Sequence, residues 1–143
     1  MPYPEQLVAP MREELSSAGA LELRTEQEAD AFFANKKQTG LVLINSVCGC
    51  AAGQARPAIA PALEHPVHPD RVATVFAGQD TEATARAREQ FGDFPPSSPS
   101  MILFQDGELV HFVPRHRIES RSAEEIATEL TGAFEKYQAA SEA

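Results

Sequence analysis

The stretch Leu41-Val42-Leu43-Ile44-Asn45-Ser46-Val47-Cys48-Gly49-Cys50-Ala51-Ala52 decides the fold. Its first four residues form an uninterrupted apolar run of branched side chains, a pattern typical of a central strand that is covered on both faces. From about Cys50 to Leu63 the chain is rich in alanine, which favours a helix. The sequence therefore predicts a buried strand that leads through Cys48 and Cys50 directly into a helix.

An amphipathic helix is predicted ahead of the strands. Its apolar residues share one helical face and end before Gly19: Leu7, Val8, Met11 and Leu15. Because proline lacks the amide hydrogen that a helix interior needs, Pro10 is expected to kink this helix or to mark a restart within it.

Strands and helices alternate through the first two thirds of the chain. In the first predicted pair, the strand Leu21 to Leu23 precedes a helix that begins at a capping box of Thr25 and Glu28. In the second, the strand Leu41 to Ile44 precedes the helix that ends at Leu63. In the third, the strand Arg71 to Ala77 precedes a helix that Asp80 or Thr81 can cap and that runs through Phe91. Pro57 is expected to kink the second of these helices. Such alternation favours right-handed crossovers, which place helices on both faces of one sheet.

The last third of the chain predicts a hairpin and a closing helix. Asp106-Gly107 is a hairpin turn signal between two apolar runs, Met101 to Phe104 and Leu109 to Val113. Ser122 and Glu125 form a capping box ahead of an apolar stripe at helical spacing. The complete order is that of a thioredoxin-like α/β fold, with a mixed central sheet, helices on both faces and an extra N-terminal helix. We predict a single domain over residues 1–143.

The charge and length of the chain argue against several classes of partner. The 143 residues carry 21 acidic and 12 basic side chains, a formal net charge of -9 that repels nucleic acid and anionic membrane surfaces. No apolar stretch approaches the roughly 18 residues of a membrane span, and the N-terminus lacks a basic region followed by an apolar one. These features predict a cytoplasmic protein. In that reducing compartment, two cysteines are more often reactive, metal-binding or buried than joined in a permanent disulfide.

The predicted position of the cysteine pair suits thiol chemistry. Where a strand ends and a helix begins, a sulfur atom lies beside unpaired backbone N–H groups and the positive end of the helix dipole, which stabilise a thiolate. The thiolate is the attacking species in disulfide exchange. The location of Cys48 and Cys50 therefore favours a redox-active site.

The run Ser98-Pro99-Ser100 is the second element of this predicted site, and it directly precedes the strand Met101 to Phe104. A proline is permitted at the start of a strand, and a cis bond there would turn the chain sharply and expose the preceding backbone groups. We predict that the Ser98-Pro99 bond is cis and that the exposed backbone pairs with an incoming substrate strand.

These motifs resemble the bacilliredoxin family, whose members are also described as thiol-disulfide isomerase-like proteins with a CxC active site. The resemblance covers essentially the whole chain, and beside Ser98-Pro99-Ser100 it rests on Leu7 to Arg12, Asn45 to Gly53, Phe76 to Asp80 and Pro114 to His116. It implies removal of bacillithiol from mixed disulfides on cytoplasmic client proteins, with Cys48 as the nucleophile. Bacillithiol or a similar low-molecular-weight thiol is then the co-substrate, and no bound cofactor is expected.

The neighbours of Cys48 have expected roles in this exchange. Cys50 or another thiol would displace the thiol left on Cys48, and the close cysteine spacing makes an internal disulfide strained and easily reduced. Gly49 suits a tight turn that admits substrate. Because the second hairpin strand runs back toward the cysteines, Arg115 and His116 are expected to be the only cations at the sulfur edge. There they would lower the Cys48 pKa or bind carboxylates of the thiol, unless they belong to a solvated loop.

Two other functions remain open at this point. The thiolates of Cys48 and Cys50 could hold Cu(I), or Zn(II) together with His116 and one further ligand, although no second CxxC or HxxxH motif completes a structural zinc site. Alternatively, the fold could be a redox-silent interaction domain with buried cysteines. Metal content and alkylation rates distinguish both from an exchange enzyme.

Overall fold

The computed structural model describes residues 3–34, 39–47, 49, 51–91, 98–105 and 108–138. Its sheet consists of β1 (Leu21–Glu22), β2 (Gly40–Asn45), β3 (Arg71–Phe76), β4 (Ser100–Gln105) and β5 (Glu108–Val113). The strand order is β1-β3-β2-β4-β5. Strands β1, β3 and β2 are parallel, whereas β4 runs antiparallel to β2 and β5 antiparallel to β4. The predicted mixed sheet and its C-terminal hairpin strands are confirmed; the predicted turn at Asp106-Gly107 lies outside the described residues.

The helices follow the predicted order with one addition. They are α1 (Glu5–Ser16), α2 (Glu26–Ala34), α3 (Arg56–Leu63), α4 (Thr81–Arg88), α5 (Arg115–Glu119) and α6 (Ala123–Ala133). A π-helical turn, Ala51–Ala55, precedes α3, a 3-10 turn, Glu89–Phe91, follows α4, and a second π-helical turn, Phe134–Gln138, follows α6. The short helix α5 lies where the sequence predicted only the end of a strand and a loop. Among the described residues, no helix is long and apolar enough to cross a membrane.

Strand β2 lies at the centre of the sheet and supplies both hydrophobic cores. Leu41 and Leu43 pack on one face with apolar side chains from α1, α3 and α6, and Val42 and Ile44 pack on the other with side chains from α2 and α4. All six residues of β2 are buried. A strand that is covered on both faces has to be apolar throughout, which explains the run of branched side chains before the cysteines.

Two predicted capping boxes are present. In α6 the Ser122 side chain accepts a hydrogen bond from the Glu125 amide, and the Glu125 carboxylate accepts one from the Ser122 amide. Thr25 and Glu28 form the same reciprocal pair at the start of α2. Each box satisfies amide groups that the first helical turn leaves without partners. Local sequence therefore fixes where both helices begin.

The predicted apolar face of α1 differs from the observed one. Leu7 is 49% exposed, and the buried residues of the helix are Val8, Arg12 and Leu15. The helix also runs through Pro10 without the expected restart. The buried face is rotated toward Arg12 because this side chain pairs with Glu5 of the same helix and with Asp80 ahead of α4, and these carboxylates offset the cost of burying its charge.

Further local predictions compare with the structure as follows. The strand predicted from Leu21 to Leu23 is shorter, because β1 is a two-residue strand at the edge of the sheet, and Leu21 is 55% exposed. Pro57, expected to kink its helix, lies in the first turn of α3 directly after the π-helical turn, so the helical geometry changes from π to α beside this proline. Asp80 occupies the N-cap position of α4 without capping it, since its carboxylate instead accepts hydrogen bonds from Arg12.

Candidate active site

The ends of strands β2 and β4 define the edge of the sheet at which the site lies. Ile44 pairs with Ser100, and β4 runs antiparallel to β2, so the residues that follow β2 emerge beside those that precede β4. The Ser98-Pro99 peptide bond is cis, as predicted, and Pro99 is buried. Cys48 and Cys50 lie outside the described residues, so their catalytic roles stay predictions.

Gly49 is the one residue of the Cys-Gly-Cys run that the structure describes. It has a helical conformation and is exposed, and a methyl group added at its Cα would meet no described atom within 4 Å. Because the cysteines on both sides of Gly49 lie outside the described residues, the tight turn expected there and its role in admitting substrate stay predictions.

The Gly49→Ala variant tests that role. We expect unchanged or slightly higher stability, by up to about 1 kcal/mol, because alanine favours helical backbone over glycine and has room here. Exchange with a folded client protein should slow more than exchange with a small disulfide, since the added methyl group crowds only an extended partner. Thermal unfolding and the two exchange rates measure these effects; equal slowing with both substrates would count against a role in access.

Strand β5 returns Arg115 to the same edge. Val113 pairs with Met101, and α5 begins two residues later. The Arg115 Nη1 atom donates a hydrogen bond to the Ser98 carbonyl at 3.4 Å, while its Nε atom lies 3.2 Å from Glu119 Oε2. The structure thus brings Arg115 to the residue before the cis proline. His116 follows on α5 and is exposed.

Helix α5 is held in place by contacts with both neighbouring segments. Ile118 is completely buried in the core, and the Gln54 side chain of the π-helical turn donates to the Glu119 carbonyl at 3.4 Å. Arg117 forms an ion pair with Glu129 of α6. These contacts connect the segment that follows the cysteines to the arginine at the cis-proline loop.

The Glu129 carboxylate on α6 contacts two arginines and one histidine. Its carboxylate pairs with Arg117 and Arg121, and Oε2 lies 2.6 Å from His111 Nε2. Burial alone would raise the pKa of Glu129, but hydrogen bonds from His111 and Arg121 and the charges of the arginines outweigh it, so the pKa lies below its ordinary value. The ionised carboxylate therefore contributes to stability.

We expect Glu129→Gln to lower the free energy of unfolding by about 1–3 kcal/mol at pH 7, because it leaves partly buried cations without their counter-ion. Because the pKa of Glu129 is lower in the folded than in the unfolded state, its carboxylate stabilises the fold fully at pH values above the unfolded-state pKa of about 4.3. This stabilisation is lost as the pH falls through the folded-state pKa. Urea unfolding at pH 7 and pH 3 should therefore show a difference between parent and variant that shrinks in acid. Glu13→Gln, at an exposed position of α1, is the control; a pH-independent difference would contradict the assignment.

A second cation at this edge escaped the sequence analysis. Arg56, at the start of α3, is 4% exposed, and its Nη1 atom donates to Asn45 Oδ1 at 2.8 Å and to the Ser46 carbonyl at 2.9 Å. The expectation that Arg115 and His116 are the only cations here is therefore wrong. A usable signal existed, since Arg56 lies three residues before the buried Ile59 and so falls on the inward face of the helix.

Arg12 anchors α1 to the adjacent turn. Its guanidinium lies 2.6 Å from Asp80 Oδ2 and 2.9 Å from Glu5 Oε2, and it stacks over the Phe76 ring. Hydrogen bonding to Asp80 raises the pKa of Arg12 further above its ordinary value. The segments Leu7 to Arg12 and Phe76 to Asp80, which the family resemblance singled out separately, thus meet in one ion-pair network.

The metal-binding alternative is not tested by this geometry. The described residues contain no cluster of three or more His, Cys, Asp or Glu side chains that could hold a metal ion. Both cysteines lie outside that set, so a site built on Cys48, Cys50 and His116 stays an alternative prediction.

Comparison with known proteins identifies the family. A family model described as disulphide isomerase matches residues 3–138. A bacilliredoxin of Salinibacter ruber is 56% identical over 141 residues, covering 96% of this chain and 82% of the relative. A bacilliredoxin of Cytophaga hutchinsonii is 54% identical over 134 residues, covering 94% and 98%, and bacilliredoxin GK1781 of Geobacillus kaustophilus is 53% identical over 136 residues, covering 94% of each chain.

Solved structures agree on the fold. Fasciola hepatica thioredoxin superposes with a TM-score of 0.57 at 20% identity, covering 82% of this chain and 98% of that one. Oxidised thioredoxin O1 of Arabidopsis thaliana gives a TM-score of 0.56 at 14% identity, covering 84% and 98%. The predicted thioredoxin-like fold is confirmed, and the redox-silent alternative is set aside by the family match. This chain belongs to the bacilliredoxin family of thioredoxin-fold thiol-disulfide oxidoreductases.

Proposed function

We propose that this oxidoreductase removes bacillithiol from mixed disulfides on cytoplasmic client proteins, with Cys48 as the attacking thiolate and Cys50 as the resolving thiol. The observation that carries the proposal is the juxtaposition of two chain segments at one sheet edge. The Cys-Gly-Cys run begins three residues after β2 ends in the sequence, and the cis peptide Ser98-Pro99 precedes the strand paired with β2. The relatives' name, bacilliredoxin, supports bacillithiol as the thiol.

The exchange requires two displacement steps. The Cys48 thiolate attacks the bacillithiol sulfur of the mixed disulfide, a new Cys48-bacillithiol disulfide forms, and the client leaves as a thiolate that takes up a proton. The Cys50 thiolate then attacks the Cys48 sulfur and expels bacillithiol, which leaves a Cys48-Cys50 disulfide. Two further thiol molecules must reduce that disulfide: the first forms a mixed disulfide with one cysteine, and the second displaces the cysteine and leaves as a small disulfide, so the two electrons come from the low-molecular-weight thiol pool.

Substrate contacts are assigned to the residues around this edge. Backbone groups at Ser98, before Pro99, are proposed to pair with the client chain, and the open space at Gly49 admits the disulfide. Arg115 and His116 are proposed to attract the carboxylates of the thiol adduct. Arg115 already lies at hydrogen-bond distance from the Ser98 carbonyl, which supports a role at the same place.

Transfer from defined clients tests the choice of thiol. One client protein carries bacillithiol on a single cysteine, and the matched control carries glutathione on the same cysteine. We expect the enzyme to release the client faster from the bacillithiol adduct than from the glutathione adduct. Intact-protein mass spectrometry of the enzyme monitors the transfer. Equal rates would overturn the proposed specificity while leaving the exchange chemistry, and no transfer from either client would overturn both.

A further inference from the structure

Arg56 is a buried cation at the point where the central strand leaves the sheet. Its Nη1 atom binds two acceptors from consecutive residues, Asn45 Oδ1 at 2.8 Å and the Ser46 carbonyl at 2.9 Å. Its Nε atom lies 2.9 Å from Glu14 Oε1 on α1. The guanidinium therefore joins α1, the end of β2 and the start of α3, and it does so with 4% of its side chain exposed.

The Asn45 side chain completes the arrangement. Its Oδ1 atom also accepts the Ser46 amide at 2.9 Å, and its Nδ2 atom donates to the Met11 carbonyl at 3.4 Å. The amide and the carbonyl of Ser46 are thus both engaged by this pair. A strand end held through both backbone groups gives the following residues a fixed starting point.

The charge of Arg56 is only partly balanced. Glu14 is its one ion-pair partner within the described part of the chain, and the Glu14 side chain is 40% exposed, so water screens that carboxylate while the guanidinium stays buried. Covalent geometry keeps the Cα atoms of residues 46 and 48 within about 7.6 Å of each other. The guanidinium is thus hydrogen-bonded to a residue only two positions before Cys48 in the chain, which is why we expect its charge to influence that thiol.

We propose that Arg56 is a positioning residue for thiol exchange, which fixes the strand end through Ser46 and supplies the buried positive charge that favours the Cys48 thiolate. The inference rests on the proposed function, since it assigns the attack to Cys48. It adds a charge that helix N-termini and the exposed Arg115 do not provide. Because the guanidinium is buried, its effect should persist at high ionic strength.

The test measures the Cys48 thiol pKa by pH-dependent alkylation in a Cys50→Ser background. Arg56→Gln removes the charge, and Asn45→Asp places a carboxylate against it while keeping an acceptor for Ser46. Both should raise the thiol pKa by about one unit. Arg56→Lys keeps the charge and should stay close to the parent value. Glu14→Gln removes the balancing carboxylate and should lower the thiol pKa, the opposite direction.

Opposite shifts separate an electrostatic role from a structural one, because each of these changes removes a hydrogen bond or an ion pair and would destabilise the fold in the same direction. Arg86→Gln, in an ion pair with Glu26 on the other side of the molecule, should leave the thiol pKa unchanged. If Arg56→Gln does not fold, Asn45→Asp and Glu14→Gln carry the test, since both retain Arg56.

The outcomes divide cleanly. A raised value for Asn45→Asp that persists in 1 M salt, together with a lowered value for Glu14→Gln at low salt, would support the inference. Unshifted values in a protein whose Cys48 still accepts the adduct would overturn it and leave the proposed function intact. If Cys48 accepts no adduct in the parent chain, the proposed function is overturned, and with it the proposed role of Arg56.

Discussion

Replacing Cys48 with serine is expected to reduce the release of client thiol by at least about a thousandfold. A serine hydroxyl has nearly the size of the thiol but is not ionised near neutral pH and does not attack a disulfide, so the first displacement step is lost. The chain has only two cysteines, and Cys50 is the second. The measurement is the rate at which a bacillithiolated client regains its free thiol.

Cys50→Ser is the matched control for this experiment. It keeps the attacking thiolate, so the first turnover should proceed at a rate near that of the parent. Later turnovers should slow, because the thiol on Cys48 then waits for an external thiol instead of Cys50. An inert Cys50→Ser protein beside an active Cys48→Ser protein would reverse the two roles.

The double variant Arg115→Gln/His116→Gln is expected to slow exchange with anionic thiol adducts by about tenfold, the second largest effect. Arg115 lies at the Ser98 carbonyl, and a cation at this edge both favours a nearby thiolate and attracts carboxylate. The apparent thiol pKa should rise in the variant. A neutral thiol adduct should be affected less than an anionic one, which separates attraction of the adduct from activation of the thiol.

Salt and a matched surface variant control this experiment. The Arg115 side chain is 47% exposed, so 1 M salt should reduce the advantage of the parent, whereas the Arg56 effect should persist. Arg24 is also 47% exposed but pairs with Glu5, and Arg24→Gln should leave the exchange rate unchanged. If the double variant titrates and reacts like the parent at every ionic strength, α5 has no part in activating Cys48.

Features that depend on local rules were predictable from the sequence. The capping boxes at Thr25 and Ser122 and the apolar central strand follow from short segments with strong preferences, whereas the cis bond before Pro99 was predicted from its place beside the cysteine pair in this order of strands. The order of these elements then selected the sheet topology, because parallel strands need helical crossovers and a hairpin signal marks antiparallel ones.

The errors concern charged side chains that pair across the fold. No sequence pattern predicted the burial of Arg12 or Arg56, yet they are 6% and 4% exposed because each meets a carboxylate from a distant segment, Asp80 for Arg12 and Glu14 for Arg56. The Asp80 carboxylate does not cap α4 as predicted, because it accepts hydrogen bonds from Arg12 instead. The helical spacing of Arg56 and Ile59 indicates that Arg56 lies on the inward face, but the partners Asp80 and Glu14 lie 68 and 42 residues away in sequence and leave no local pattern.

Peptide mapping of the adduct tests the central claim most directly. The Cys50→Ser protein is mixed with one equivalent of a client that carries bacillithiol, quenched in acid within the first turnover, digested and mapped by mass spectrometry, with the parent chain treated in parallel. We expect the bacillithiol mass on the peptide that contains Cys48 and free thiol on the client. Bacillithiol retained by the client, or a disulfide between Cys48 and the client itself, would contradict attack by Cys48 on the bacillithiol sulfur.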